Sequence, residues 1–319
     1  MAIQWIVNIA LVVAALVMVS SQSAAQTFPY DRQTSVVGAE KVYATYVASK
    51  NDSLIELARQ NHLGYNEITL ANPDLDPFVP GEGAAIRIPA AWVLPDMPHD
   101  GIVINLSEMR LYFFHPTTKD GLFRVSTFPI GIGDEGLDTP VGSFKIVERI
   151  ANPAWYPPAS IRAERPELPA VVPPGPENPL GTHALRLSLR TYLLHGTNRP
   201  YAIGRRATHG CIRLYPEEVP KLYEMVPVGA KVTIVKQPIK VGVRNNRVFV
   251  EIHEDPDVTI SSYFEETIVR LKKMGLMKNV STEKLYRAVR KKDGMPADIS
   301  LDEKKGPKAP AVVPEFWTL

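Results

Sequence analysis

YLLHGTNRPYAIGRRATHGCIRL, residues 192–214, holds Cys211, the single cysteine of a 319-residue chain, with His195, Arg199, Arg205, Arg206 and His209 in the run before it. A thiol attacks as thiolate, which forms most readily beside a base or in a positive field. Tyr192-Leu193-Leu194 is a short apolar run suited to a buried strand. It ends at His195 with Gly196 next, so the imidazole is expected at a strand end facing a cleft. In the second half, Gly210 precedes the thiol, and its missing side chain lets a substrate carbonyl approach backbone amides. The amides of Gly210 and Cys211 are the expected oxyanion donors, with Thr208, His209 and Arg213 as candidate site residues.

Two alternatives compete with a nucleophile. A lone cysteine is commonly a small buried hydrophobe. His183, His195, His209 and Cys211 could also ligate zinc, but His-x-Cys is poor ligand spacing and no Cys-x-x-Cys or His-x-x-x-His pair supports it. No metal and no cofactor are expected.

The His195-Gly196 pair, followed by Thr208-His209-Gly210-Cys211 and then Ile212-Arg213-Leu214, resembles the signature of the L,D-transpeptidases with a YkuD-like catalytic domain. The similarity runs from about Gly101 to Lys236 and includes Thr139-Pro140-Val141-Gly142. It implies a mainly β, sandwich-like catalytic domain and acyl transfer through a Cys211 thioester, with His195 as base, oriented by the Gly196 carbonyl. The donor would be a peptidoglycan tetrapeptide stem cut between diaminopimelate and D-alanine, and carbapenems would trap the thioester. Arg213 could bind a carboxylate bidentately. The family often has Asn there, so holding the loop is the competing role.

At 45% hydrophobic and 22% charged residues, the chain is long enough for about two domains with cores. A net charge of +2 and no basic-aromatic interleaving exclude a nucleic-acid partner. Residues 1–25 carry no charge, and Ser23-Ala24-Ala25 offers a signal-peptidase pattern. A signal peptide over 1–25 and a periplasmic protein are expected, with an uncleaved anchor as the alternative because no Lys/Arg precedes the apolar run.

Residues 42–95 read strand, helix, helix, strand. Ser53-x-x-Glu56 is a capping box, and Asn72-Pro73 must stop the second helix. This α+β (βααβ) unit resembles a LysM module, which implies binding of glycan strands; Asp52, Ser53 and Asn72 are its candidate contacts, and a pure spacer is the alternative. A LysM-like module ahead of such a catalytic domain also resembles the subgroup that joins the lysine of an outer-membrane lipoprotein to peptidoglycan. Residues 95–100, with two prolines, read as a linker between separate units.

The catalytic domain is expected over 100–237. Within it, residues 151–181 contain nine prolines, too many for a helix or central strand. They read as a lid or cleft wall offering Trp155 and Tyr156. Residues 238–319 form a C-terminal extension: a hairpin turning at Asn245-Asn246, then helical sequence including 281–292, whose Lys284, Arg287, Arg290 and Lys291 make a solvated basic side.

Overall fold

The computed structural model describes residues 26–31, 34–117, 121–189 and 191–302. The proposed signal peptide and residues 303–319 of the extension lie outside the described residues.

The first described strand, β1 (Gln26–Tyr30), precedes the N-terminal module, which comprises β2 (Val36–Val47), α1 (Leu54–Gln60), α2 (Tyr65–Ala71) and β3 (Ala85–Val93). β2 and β3 pair antiparallel, giving the βααβ order read in the sequence. The Ser53 hydroxyl caps α1 by accepting the Glu56 N–H at 3.2 Å. α2 ends where Pro73 forbids continuation, and Asn72 follows it. β2 starts before residue 42, where the unit was expected to begin, and Val36 packs with Val93 and Phe249, where its side chain is lost from water.

The catalytic strands are β4 (Gly101–Asn105), β5 (Arg110–Phe114), β6 (Phe123–Pro129), β7 (Ile132–Gly133) and β8 (Gly142–Ala151), then helix α3 (Ala159–Glu164). They continue with β9 (His183–Leu187), β10 (Leu193–His195), β11 (Arg206–Thr208), β12 (Ile212–Arg213), helix α4 (Val219–Met225) and β13 (Lys231–Val235). Nine strands form one sheet in the order β1-β6-β5-β4-β13-β8-β9-β10-β12, while β11 pairs separately with β7. Phe128 near one end of the sheet and Ile212 at the other belong to the same buried cluster, with Ile104, Ile146, Leu194, Leu222 and Ile234. One curled sheet therefore encloses the catalytic core, where the resemblance implied a sandwich.

β5 shows why the two expected units are not separate. Its residues alternate between faces, yet all five are buried. Leu111 and Phe113 face the catalytic core. Tyr112 and Phe114 pack with Leu54, Ile68, Ile86 and Trp92 of the module. Arg110, fully buried, binds both carboxylate oxygens of Glu67 at 2.9 and 2.6 Å and lies 4.2 Å over the Trp92 ring. Tyr215 donates to the Leu63 carbonyl at 3.0 Å, and Asn66 to that of Glu108 at 2.8 Å. The expected linker is also packed: His99 stacks on Phe114 at 4.2 Å, and the Asp96 N–H donates to Gln237 Oε1 at 2.9 Å. Independence of the module is corrected here, because its core and the outer face of the sheet are one cluster.

The extension contains β14 (Ile239–Arg244), β15 (Arg247–Ile252), α5 (Tyr263–Lys273), α6 (Thr282–Lys291) and β16 (Ala297–Asp298). The β14–β15 hairpin turns at Asn245 and Asn246, with φ of +52° and +60°, the left-handed pair that a two-residue turn requires. The basic residues of α6 are engaged locally, as with Lys284 on Asp302 and Lys291 on Asp293. Lys240 ties the extension to the rest: its buried ammonium meets Glu108 at 2.6 Å, Glu251 at 2.8 Å and the Val93 carbonyl at 2.6 Å.

Candidate active site

β10 and β12 run parallel, with Leu194 opposite Ile212 and His195 opposite Arg213. That register sets the turn bearing Cys211 alongside the strand that ends at His195. Two threonines shape the turn. Thr208 accepts the Gly210 N–H at 3.0 Å and donates to the Cys211 carbonyl at 2.7 Å. Thr139 donates to the Gly210 carbonyl at 2.9 Å and accepts the Gly133 N–H at 3.0 Å. Gly210 sits at φ +96°, and a Cβ there would stand 2.7 Å from the Tyr192 ring and 3.2 Å from the Asp138 carbonyl. Only glycine fits that corner.

His195 is buried, and its Nδ1 lies 2.6 Å from the Gly196 carbonyl. A carbonyl only accepts, so Nδ1 carries the proton and Nε2 of the neutral ring is left as an acceptor, which is the form a general base needs. Gly196 itself is packed tightly: a Cβ would come within 2.9 Å of Val219 Cγ1.

Burial pushes the His195 pKa down to about 4, with the Arg213 guanidinium adding to the shift. Burial also pushes the Cys211 thiol up, outweighing the Leu193 amide and Arg213. The S–H points to the Thr191 carbonyl at 3.6 Å. The resting pair is thus a thiol and a neutral imidazole. Two of the arginines counted in the sequence are engaged elsewhere: Arg205 lies 3.6 Å over the Tyr65 ring, and Arg206 pairs with Asp138 and Asp257.

A pH separation follows from those two shifts. Iodoacetamide, which needs preformed thiolate, should alkylate Cys211 slowly at neutral pH and faster as pH rises beyond the ordinary thiol range. Carbapenem acylation assisted by His195 should persist as pH is lowered and fail only through about 4, where the imidazole gains its proton. Superimposable pH profiles for the two reagents, measured by intact-protein mass, would contradict this assignment.

The other candidate residues divide. The Gly210 amide is engaged by Thr208, so of the two expected oxyanion donors the Cys211 N–H is the one without that contact. Arg213 donates through Nη1 to the Ala207 carbonyl at 2.9 Å, so it holds the loop, while its buried Nε has no partner among the described residues. His209 is exposed and lies 3.4 Å from Glu164 on α3. The proline-rich segment therefore reaches the site. Contrary to expectation it contains a helix, placed in the proline-free stretch between Pro158 and Pro166. His183 packs on the Tyr223 ring at 4.6 Å. Among the described residues the one trio of metal-capable ligand atoms is Glu108, Glu251 and His253, where Lys240 already bridges the two carboxylates.

The glycan candidates divide as well: Asn72 is buried, whereas Asp52 and Ser53 are half-buried. Asn72 ties α2 to β3, donating to Ile68 and Arg87 carbonyls and accepting the Arg87 N–H, each at 2.8 Å. Asp52 accepts from Tyr46 and the Ser49 N–H, and Ser53 is occupied as the α1 cap. Thr139 and Tyr192, which build the cysteine turn, were not singled out; the Thr139-Pro140-Val141-Gly142 segment was the signal that could have led to Thr139.

Residues 99–234 match the family model described as YkuD, L,D-transpeptidase catalytic domain. Among similar proteins of Escherichia coli (strain K12), Probable L,D-transpeptidase YcfS is 41% identical over 251 residues, covering 76% of this chain and 77% of that one. Probable L,D-transpeptidase YbiS is 34% identical over 298 residues, covering 90% and 96%. Probable L,D-transpeptidase ErfK/SrfK is 35% identical over 298 residues, covering 90% and 94%.

Proposed function

The chain belongs to the YkuD family of L,D-transpeptidases, acyltransferases of peptidoglycan metabolism, and from that membership we propose that Cys211 is the nucleophile of a thioester mechanism with His195 as its base. The observation that carries this reading is the 2.6 Å contact from His195 Nδ1 to the Gly196 carbonyl, which leaves Nε2 free to take a proton at the strand end beside the cysteine turn. As Nε2 removes the S–H proton, sulfur attacks the carbonyl joining diaminopimelate to D-alanine. The Cys211 N–H stabilises the oxyanion. His195 returns the proton to the departing D-alanine amine, and the C–N bond breaks to leave the thioester. An acceptor amine, deprotonated by His195, then attacks and regenerates the thiol. Arg213 is the candidate for a substrate carboxylate, through the part of its guanidinium not held by Ala207.

The glycan role of the LysM-like module moves with the geometry. A cavity of about 700 Å³ between module and catalytic domain is lined by Ser53, Glu56, Phe78, Arg199, Tyr201 and Arg205. Phe78 and Tyr201 are exposed, offering apolar ring faces beside polar groups, the combination a sugar strand binds. Export to the periplasm is part of the same reading, since the substrate lies there.

Incubating purified peptidoglycan fragments with wild type and Cys211→Ala, followed by mass spectrometry, tests the proposal. Wild type should consume tetrapeptide stems with loss of alanine and give a product joined to an amine. The product mass tells a second diaminopimelate from a lipoprotein lysine or water. Equal consumption by Cys211→Ala would overturn the mechanism.

A further inference from the structure

The structure assigns Asp257, in the C-terminal extension between β15 and α5, a positioning role at the active site: through Arg206 it holds together the two segments that wall the Cys211 turn. This rests on the reading of Cys211 as nucleophile. Asp257 Oδ2 accepts from Arg206 Nη1 at 2.5 Å and from Lys236 at 2.8 Å. The other arm of the guanidinium, Nη2, reaches Asp138 Oδ1 at 2.9 Å.

Arg206 and Asp138 belong to the two walls. Arg206 opens β11, and Thr208 at its other end receives the Gly210 N–H and binds the Cys211 carbonyl. Asp138 precedes Thr139, which binds the Gly210 carbonyl. The Asp138 and Leu137 carbonyls lie 3.2 and 3.4 Å from where a Gly210 Cβ would stand. One guanidinium therefore fixes β11 against residues 137–139, and the cysteine turn is held between them.

Asp257 is itself fixed. Its N–H donates to Asp255 Oδ1 at 2.9 Å, and the buried Asp255 accepts from Ser107, in the β4–β5 turn, at 2.6 Å. An isolated surface ion pair contributes little. Here Arg206 is 20% exposed and Asp257 28%, four charged groups (Asp138, Arg206, Lys236 and Asp257) form one connected network, and the effect is on geometry. Small displacements of a nucleophile lower turnover far more than they lower stability.

The test is steady-state kinetics on a tetrapeptide donor, with carbapenem acylation and thermal unfolding measured in parallel. Asp257→Asn should lower kcat by about tenfold and slow acylation equally, with KM within about twofold and the melting temperature little changed. Asp257→Glu, which keeps the charge, should recover most of the loss. Arg247→Gln, which breaks the ion pair to Asp298 elsewhere in the extension, should leave kcat unchanged. Wild-type kcat in Asp257→Asn, or an equal loss in Arg247→Gln, would overturn the role. Turnover surviving in Cys211→Ala would instead overturn the nucleophile assignment on which it rests.

Discussion

Cys211→Ala is expected to remove at least about three orders of magnitude of turnover while the protein stays folded. The sulfur's polar contacts are weak ones, to the Leu193 amide and, at 3.6 Å, to the Thr191 carbonyl, so its loss should change stability by about 1 kcal/mol. Cys211→Ser should be nearly as inactive. A hydroxyl needs a stronger base than a thiol does, and His195 is backed by the neutral Gly196 carbonyl instead of a carboxylate. His195→Ala should approach the same loss, whereas His183→Ala, which removes a ring packed on Tyr223, should be mild. Turnover above a few per cent of wild type in Cys211→Ser, with unfolding curves overlaid, would count against a thioester.

The largest effect on stability is expected at Glu67. Glu67→Gln leaves Arg110, fully buried, facing a neutral amide, and breaking a buried pair from one side costs about 3–5 kcal/mol. Since domains are stable by only about 5–15 kcal/mol, the urea midpoint should fall sharply. Removing residues 26–95 altogether should do worse. It strips β1 from the sheet edge and uncovers Tyr112, Phe114 and Val125 together with the orphaned Arg110. The fragment should be insoluble or fail to unfold cooperatively. A soluble, cooperatively folded and active fragment starting at residue 96 would show that the shared cluster is dispensable.

The setting of the proposed Cys211–His195 pair was legible because its parts are close in sequence: a short apolar run predicts the strand, and the glycines at 196 and 210 mark backbone that must turn or be approached. The βααβ order, the Ser53 cap and the Asn245-Asn246 turn follow from local rules and need no tertiary information. RLYFF was legible as a strand but not as one buried on both faces, since an apolar run looks the same whether one layer or two cover it. Arg110 inside it gave no hint of Glu67, a partner found only after two helices and a turn have placed it. The bond that engages the Gly210 amide was hidden for a different reason: a Thr two residues upstream can close on that N–H, and sequence alone does not say whether it does. α5 was not singled out, although Ser262, whose hydroxyl accepts the Glu265 N–H, is a start signal of the same kind as Ser53. Asp257 was out of reach, because nothing local connects it to Arg206.

β13 is the last catalytic strand along the chain, yet it lies in the middle of the sheet, parallel to β4 and antiparallel to β8. On one side of it stand β1, β6, β5 and β4, which carry the module; on the other stand β8, β9, β10 and β12, which carry His195 and flank Cys211. Within the nine-stranded sheet the two halves share no strand pair until residues 231–235 enter between them; at the far ends the Gly131–Arg213 bridge and the β7–β11 pair link them. Their joining closes very long loops, which makes folding slow compared with that of a locally wired protein. A chain emerging N-terminus first therefore has Cys211 and His195, the proposed nucleophile and base, in hand before its main sheet is continuous. The sheet against which the Cys211 turn is set is therefore continuous only once residues 231–235 have been made.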